Sequence, residues 1–184
     1  FIGDFCDRPE NNAEISTTVI GAFLHREQSR IDALIDGGGK EEANAIRGEM
    51  QDLMTARVGI FRTGEDLTMA VDQLQDLLRR SRNIGLRYRA RGANPELVAA
   101  YRVQKMLKLA LCVAYGALVR TESRGAHFRQ DFPRRNDEQW LKRTLATWAS
   151  ADDLLPSLSW ESIDVAQMEL PPGWRGYGTK DYVD

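Results

Sequence analysis

The chain has 184 residues, with 25 Lys and Arg against 27 Asp and Glu, a formal net charge of −2. Hydrophobic residues make up 42% of it, enough for one packed core. This composition excludes collagen-like, disulfide-framework and strongly nucleic-acid-attracting chains, and no segment reaches the ~20 apolar residues of a membrane helix. Because the chain opens on Phe1 and shows no signal-peptide pattern, we expect it to be a piece of a longer polypeptide.

Apolar residues recur with helical spacing through most of the chain, and this pattern predicts four helices. The first runs from Ser16 to about Asp36, and its apolar positions fall on one stripe: Ile20, Phe23, Leu24, Ile31, Leu34 and Ile35. The second covers about 41–57 and the third follows an N-cap at Thr63. The fourth begins at Asn94-Pro95, a cap followed by proline in the first turn, and continues to about Thr121. Its apolar surface on nearly every face predicts a central position.

We interpret the glycine run and the cysteines as structural features and assign them no catalytic or metal-binding role. The run Gly37-Gly38-Gly39-Lys40 follows a helix and lacks the Gly-Lys-Ser/Thr of a phosphate-binding loop, so we interpret it as a turn. Cys6, Cys112 and the two histidines lie too far apart for metal-ligand spacing, and we expect Cys112 to be a buried reduced thiol.

The segment beyond residue 123 has a different character. Weak alternation predicts short strands at about 143–148 and 158–163, and Pro171, Pro172 and Gly173 mark an irregular tail. The predicted fold is therefore mainly α, an antiparallel three- to four-helix bundle over 16–123 with a small extended or β appendix over 124–184.

An arginine-rich connector joins the third and fourth helices, with Tyr88 placed where a nucleic-acid binder could use it for stacking. The slightly negative net charge argues against that use. We interpret these residues as a solvated helix face or a protein interface, and we expect no nucleic-acid partner. The arginines are Arg79, Arg80, Arg82, Arg87, Arg89 and Arg91.

Charged and aromatic residues are concentrated at 121–135, directly after the apolar fourth helix. Gly125 can adopt a positive φ at the helix end, and Arg124 or His127 can neutralise the last helix carbonyls. Glu122 and Asp131 offer carboxylates that arginines can bind with two parallel hydrogen bonds. A purely structural role accounts for these features, although a catalytic role stays open.

The same segment carries a family resemblance. The sequence Glu-Ser-Arg-Gly-Ala-His-Phe-Arg at 122–129, followed by Asp-Phe-Pro at 131–133, resembles the signature that closes the helical domain of fumarate reductase and succinate dehydrogenase flavoprotein subunits. The stretch 135–145 continues the match, with Arg143 where the family commonly has His. Val-Gly-Ile-Phe-Arg-Thr at 58–63 and the tail at 168–178 are similar to further family segments.

The resemblance implies a division of labour. In the family, FAD-binding and capping domains enclose the site where fumarate and succinate interconvert, and an iron–sulfur subunit relays electrons to a membrane quinone-reactive subunit. The catalytic and flavin-linking residues of the family precede its helical domain. The resemblance therefore implies that residues 1–15 are the end of a preceding FAD-domain helix and a linker, and that this chain holds no catalytic, cofactor-binding or metal-binding residue.

The resemblance also implies a docking role within a complex peripheral to a membrane, expected at its cytoplasmic face. The residues assigned to interdomain or subunit docking are Glu122, Arg124, His127, Arg129 and Asp131. Two alternatives stay open at this point: the equivalent domain of L-aspartate oxidase, and a free-standing helical interaction module. A fragment of this kind is expected to be inactive alone.

Overall fold

The computed structural model describes residues 16–163 and is mainly helical. The expectations for 1–15, for Cys6 and for the tail from residue 164 onward lie outside these residues. Elements follow in chain order: α1 Thr17–Asp36, α2 Ala43–Arg57, β1 Phe61–Arg62, α3 Gly64–Arg80, α4 Pro95–Val119, β2 Phe128–Arg129, α5 Asp137–Trp140, β3 Lys142–Thr147 and β4 Ser157–Ser162. A short 3₁₀ turn, Ser81–Asn83, follows α3.

Helices α2, α3 and α4 enclose the core. Arg57 at the end of α2 pairs with Asp66 at the start of α3, while Arg80 at the end of α3 pairs with Glu41 just before α2, so these helices run antiparallel, as predicted. The buried side chains come from the predicted apolar faces. Fully buried core residues include Ile46, Leu67, Ala70, Leu74, Ala100, Leu107, Leu111 and Ala114.

Both predicted N-caps are confirmed. The Thr63 hydroxyl accepts a hydrogen bond from the Asp66 backbone N–H at 3.1 Å, and Asn94 Oδ1 accepts one from the Leu97 N–H at 2.9 Å. Each bond satisfies a backbone donor that the first helical turn cannot pair internally. Local sequence therefore fixes where α3 and α4 begin.

The apolar stripe predicted for α1 is covered only over the second half of the helix. Ile20, Phe23 and Leu24 are exposed, and in this helix only Ile35 is buried, with Ile31 and Leu34 packed at the edge of the core. The reason is that α1 meets α4 through its second half, as the contacts of Glu27 with Tyr101 and Lys105 show. Periodicity predicts an apolar face but not the partner that covers it.

The long helix α4 also departs from expectation at its surface and at its end. Leu109 and Val113 are exposed, so described neighbours do not surround the helix. It ends at Val119, two residues before the expected Thr121, because Arg120 is extended. Gly125 does have a positive φ of 58°, but it lies in the turn where Arg124 and His127 exchange backbone hydrogen bonds, beyond the helix end.

The glycine run after α1 connects α1 to α2, as predicted, but it is extended rather than a turn, and Gly38 pairs with Gly85 in an antiparallel bridge. Gly37 is extended, whereas Gly39 lies against Asn83 and Gly85. A Cβ atom on Gly39 would collide with the Asn83 carbonyl, and one on Gly85 would collide with the Gly39 carbonyl. The two segments therefore cross backbone to backbone, which only glycine allows.

We predict that Gly39→Ala destabilises the chain by about 1–3 kcal/mol, because backbone atoms must move to admit the methyl group. Gly38→Ala is the matched control, since a Cβ at Gly38 meets no atom within 4 Å. Urea unfolding of the two variants measures the difference. Equal stability of both variants would show that the crossing is looser than described.

The two predicted strands are confirmed to within one residue. They form β3 and β4, which pair antiparallel from Lys142 opposite Ser162 to Thr147 opposite Ser157. This hairpin lies along α4, where Lys108 sits over the Trp148 ring at 4.4 Å. Trp148 Nε1 also donates to Cys112 Sγ at 3.3 Å, and Cys112 is partly exposed rather than buried.

The arginine-rich connector is tied to the bundle by charge. Arg80 binds both Glu41 and Glu49, Arg87 binds Glu42, and Arg91 binds Asp32 at 2.9 Å. The connector therefore holds the start of α2 and the end of α1 together. Across residues 16–163, no helix has the length and apolarity required to span a membrane.

Candidate functional site

A two-residue parallel pairing brings two distant family segments together. Strand β1 pairs with β2, with Phe61 opposite Phe128 and Arg62 opposite Arg129. The Gln130 N–H extends the pairing by donating to the Arg62 carbonyl at 2.8 Å. This contact joins the turn before α3 to the signature after α4, and such short strands give no periodic signal in sequence.

Glu122 is fully buried at the centre of the signature. Its carboxylate accepts two parallel hydrogen bonds from Arg124, at 2.8 and 3.0 Å, and one from Arg120 Nη1 at 2.5 Å. The Asn136 backbone N–H adds a fourth, at 2.8 Å. The expected bidentate arginine pair is confirmed, and the same carboxylate links α4 to the segment that leads into α5.

Arg129 is 2% exposed and closes the end of α4. Its Nη1 donates to the carbonyl oxygens of Ala117 at 2.9 Å and Leu118 at 2.8 Å, and more weakly to Arg120 at 3.3 Å. These are carbonyls that a helix end leaves unpaired. The prediction that Arg124 or His127 binds the last helix carbonyls is therefore wrong in its main part. Arg129 binds most of these carbonyls, and Arg124 binds the Glu122 carboxylate instead.

The Nε–Nη2 edge of the Arg129 guanidinium binds Asp131 through two parallel hydrogen bonds, at 2.8 and 2.7 Å. Asp131 Oδ2 also accepts the Gly64 N–H at 2.9 Å, so the Asp131 carboxylate lies at the N-terminus of α3, where helix N–H groups favour negative charge. The arginine and these donors lower the pKa of Asp131 to about 2. One ion pair thus fastens the end of α4 to the start of α3.

His127 lies half-buried between guanidinium groups. Arg62 Nη1 is 2.9 Å from His127 Nδ1, and because a guanidinium only donates, Nδ1 accepts and Nε2 carries the hydrogen. That Nε2 is 3.3 Å from the Arg120 carbonyl oxygen. Burial lowers the pKa of His127, and the charges of Arg62, Arg129 and Arg120 lower it further.

We predict that the chain loses stability as pH falls below the ordinary histidine pKa of 6.5. The folded-state pKa is depressed, so below pH 6.5 the unfolded chain takes up the proton first, and the loss continues until pH passes the folded-state pKa. Unfolding measured between about pH 8 and about pH 5 checks the loss, and His127→Gln is expected to remove this part of it. An unchanged pH profile in His127→Gln would contradict the assignment.

An apolar surface lies beside these buried ion pairs. Ile60 and Phe61 are 73% and 70% exposed, and the Phe61 ring contacts the Phe128 ring edge-on at a centroid distance of 5.8 Å. We name Ile60, Phe61 and Phe128 the β1–β2 patch. The sequence alone assigns no surface role to these side chains, because two adjacent apolar residues in a short segment fit a loop as well as a strand.

The polar side chains of this region bind one another and hold the end of α4, the signature segment and the start of α3 together. Among residues 16–163, every buried side-chain nitrogen and oxygen has a hydrogen-bond partner, and no group of three His, Cys, Asp or Glu could hold a metal ion. The structure brings all five predicted docking residues into one network. Glu122 and Arg129 face inward, whereas Arg124, His127 and Asp131 reach the surface in part.

Comparison with known proteins identifies the family. A family model described as "Fumarate reductase flavoprotein C-term" matches residues 47–177. The chain belongs to this family. The fumarate reductase flavoprotein subunit of Helicobacter pylori strain J99 is 48% identical over 171 residues, which are 93% of this chain and 24% of that protein. The succinate dehydrogenase flavoprotein subunit of Bacillus subtilis is 31% identical over 93% of this chain and 29% of its own length.

Solved structures agree with the family assignment. The FrdA chain of an E. coli quinol fumarate reductase variant superimposes with a TM-score of 0.80 at 30% identity, covering 91% of this chain and 28% of FrdA. An adenylylsulfate reductase from Archaeoglobus fulgidus, at 16% identity and a TM-score of 0.63, shares the fold alone. The chain spans only 24–29% of the length of these relatives.

Proposed function

We propose that this chain is the C-terminal helical domain of a flavoprotein subunit that interconverts fumarate and succinate. The observation that carries the proposal is the family match over residues 47–177, together with relatives named both fumarate reductase and succinate dehydrogenase. In the proposed protein, FAD supplies hydride transfer from a part of the polypeptide outside this chain. The domain holds that site in a fixed position and makes it rigid.

The described residues do not fit a flavin or iron–sulfur site, which supports placing both cofactors elsewhere. The polar groups of the signature are already paired within the chain, leaving no unpartnered buried donor for an isoalloxazine ring. Cys112 is the one cysteine of residues 16–163, whereas iron–sulfur clusters need several thiolates. The proposed partners are therefore the FAD-binding and capping domains of the same polypeptide and a separate iron–sulfur subunit.

Docking is the role we propose for the signature region. Buried ion pairs at Glu122 and Arg129 make the region rigid, and a rigid surface loses less entropy on association. Beside them the β1–β2 patch offers exposed apolar area, with Arg124 and His127 adding partly exposed polar groups. An apolar centre with a polar rim is the usual composition of a protein interface.

Beyond the immediate partners, we propose a peripheral position on a membrane complex at the cytoplasmic face, with an indirect link to a quinone-reactive membrane subunit. The resemblance supports this placement, and the quinol fumarate reductase among the solved relatives supports the link to a quinone. The preferred direction of the reaction depends on redox potentials that this domain does not set.

The activity is tested on the complete protein that contains this chain. We expect it to reduce fumarate with a reduced viologen as electron donor and to leave L-aspartate unoxidised. Oxidation of L-aspartate without fumarate reduction would favour the L-aspartate oxidase alternative. Absence of flavin from the purified complete protein would favour a free-standing helical module instead.

A further inference from the structure

A cavity of about 490 Å³ lies at the opposite end of α3 from the β1–β2 patch. It is bordered by the second half of α1, the extended glycine run after it, the 3₁₀ turn after α3, and the face of α4 that carries Tyr101 and Lys108. Its volume falls within the range of small-molecule sites. The signature network does not reach it, so the proposed function leaves it unexplained.

The lining of this cavity is strongly basic. Four cationic side chains border it and no carboxylate does: Arg30, Arg82, Lys105 and Lys108. Glu27, just outside, binds Arg30 at 2.9 Å and Lys105 at 3.3 Å. The hydrogen bond from the Tyr101 hydroxyl, followed by the contacts with Lys105 and Arg30, lowers the pKa of Glu27 to about 2, so one carboxylate is shared among several donors. The cavity therefore keeps an excess of positive charge.

Lys108 and Arg82 supply that excess, because their hydrogen bonds go to carbonyl oxygens. Lys108 Nζ donates to Ala151 at 2.9 Å and to Ser150 at 3.3 Å, and Arg82 Nη2 donates to Asp152 at 2.7 Å. Neither cation is within ion-pair distance of a carboxylate among the described residues, although the carboxylates of Asp152 and Asp153 are near enough to act on Lys108 electrostatically. A carbonyl neutralises no charge, so no ion pair cancels the positive charge of either side chain, and an anion can compete with the carbonyls for their N–H groups.

The cavity is also preformed. Its floor is the glycine run 37–39, which is held in place by the antiparallel bridge between Gly38 and Gly85. Its walls include the apolar side chains of Leu34, Leu78 and Ile84. Apolar walls with a few convergent polar groups are typical of sites for small organic ligands. A fixed floor reduces the entropy lost when a ligand binds.

We propose that this cavity binds a small organic anion, with its carboxylate or phosphate group held by Lys108 and Arg82 and its apolar body against Leu34, Leu78 and Ile84. Phosphate and carboxylate share the property that matters, oxygen atoms bearing negative charge that accept charge-assisted hydrogen bonds. The site is independent of the fumarate and succinate chemistry proposed above.

Calorimetric titration of the complete protein with benzoate, phenyl phosphate and uncharged benzyl alcohol tests the site. We expect one of the two anions to bind, which also identifies the preferred acid group, and benzyl alcohol to bind at least about tenfold more weakly, the ratio that loss of one charged hydrogen bond gives. Binding of neither anion, or equal binding of benzyl alcohol, would overturn the proposal.

Two variants test whether the anion binds at Lys108 and Arg82. Lys108→Met and Arg82→Gln are each expected to weaken the anion about tenfold or more, whereas Lys40→Met removes a nearby exposed charge that does not line the cavity and is expected to have little effect. If Lys108→Met does not fold, Arg82→Gln decides. Affinity unchanged in the folded variants would overturn the assignment, and an equal loss in Lys40→Met would reduce it to general electrostatic attraction.

Discussion

Replacement of Glu122 by Gln is expected to destabilise the chain by about 3–5 kcal/mol, the cost of removing one partner from a buried ion pair. The substitution keeps the shape of the side chain but leaves Arg120 and Arg124 without their shared carboxylate. The Asn136 N–H also loses a charged acceptor. Urea unfolding of the 184-residue chain measures the effect.

Glu138→Gln is the matched control for Glu122→Gln, because Glu138 is exposed on α5. We expect that control to change stability by no more than about 0.5 kcal/mol. A loss below about 1 kcal/mol in Glu122→Gln would mean that water reaches the carboxylate and that the signature is not the rigid anchor described.

Arg129→Lys is the second substitution for which we expect a large effect. It should lower the free energy of unfolding by about 3 kcal/mol, although it keeps the charge. A lysine ammonium cannot bind both oxygens of Asp131 in parallel while also reaching the carbonyls at the end of α4. Those carbonyls would remain buried without a donor. Because the arginine lowers the pKa of Asp131, Arg129→Lys should also raise that pKa above about 2.

Two readouts separate this prediction from a general packing defect. Unfolding gives the loss of stability, with Arg102→Lys on the exposed surface of α4 as the matched control. Titration of the Asp131 carboxyl by NMR gives its pKa in the folded variant. An Arg129→Lys chain of wild-type stability, with the Asp131 pKa unmoved, would show that the two parallel hydrogen bonds contribute little.

Features encoded locally were predictable. Helix starts at Thr63 and Asn94 follow from caps that act within one turn, and the stripe of α3 follows from a period of 3.6 residues. The hairpin of β3 and β4 was located from alternation alone, and the bidentate pairs at Glu122 and Asp131 from the chemistry of arginine.

Features that depend on distant backbone were not predictable in this way. The exposure of Phe23 follows from where α1 meets α4, which periodicity does not specify. The crossing of Gly39 with Gly85 and the two-residue pairing of β1 with β2 join segments far apart in sequence. The sequence favours Arg124 or His127 as the residue that binds the last carbonyls of α4, because nothing local shows that Arg129 folds back to reach those carbonyls.

The central claim is that this domain supports a flavin site in another part of the protein by docking through the β1–β2 patch. Its most direct test is Phe61→Ser in the complete protein, with Leu145→Ser, an exposed strand residue of the hairpin, as control. We expect Phe61→Ser to lose bound flavin and fumarate reduction together, while Leu145→Ser retains both. Full flavin content and full turnover in Phe61→Ser would contradict the claim.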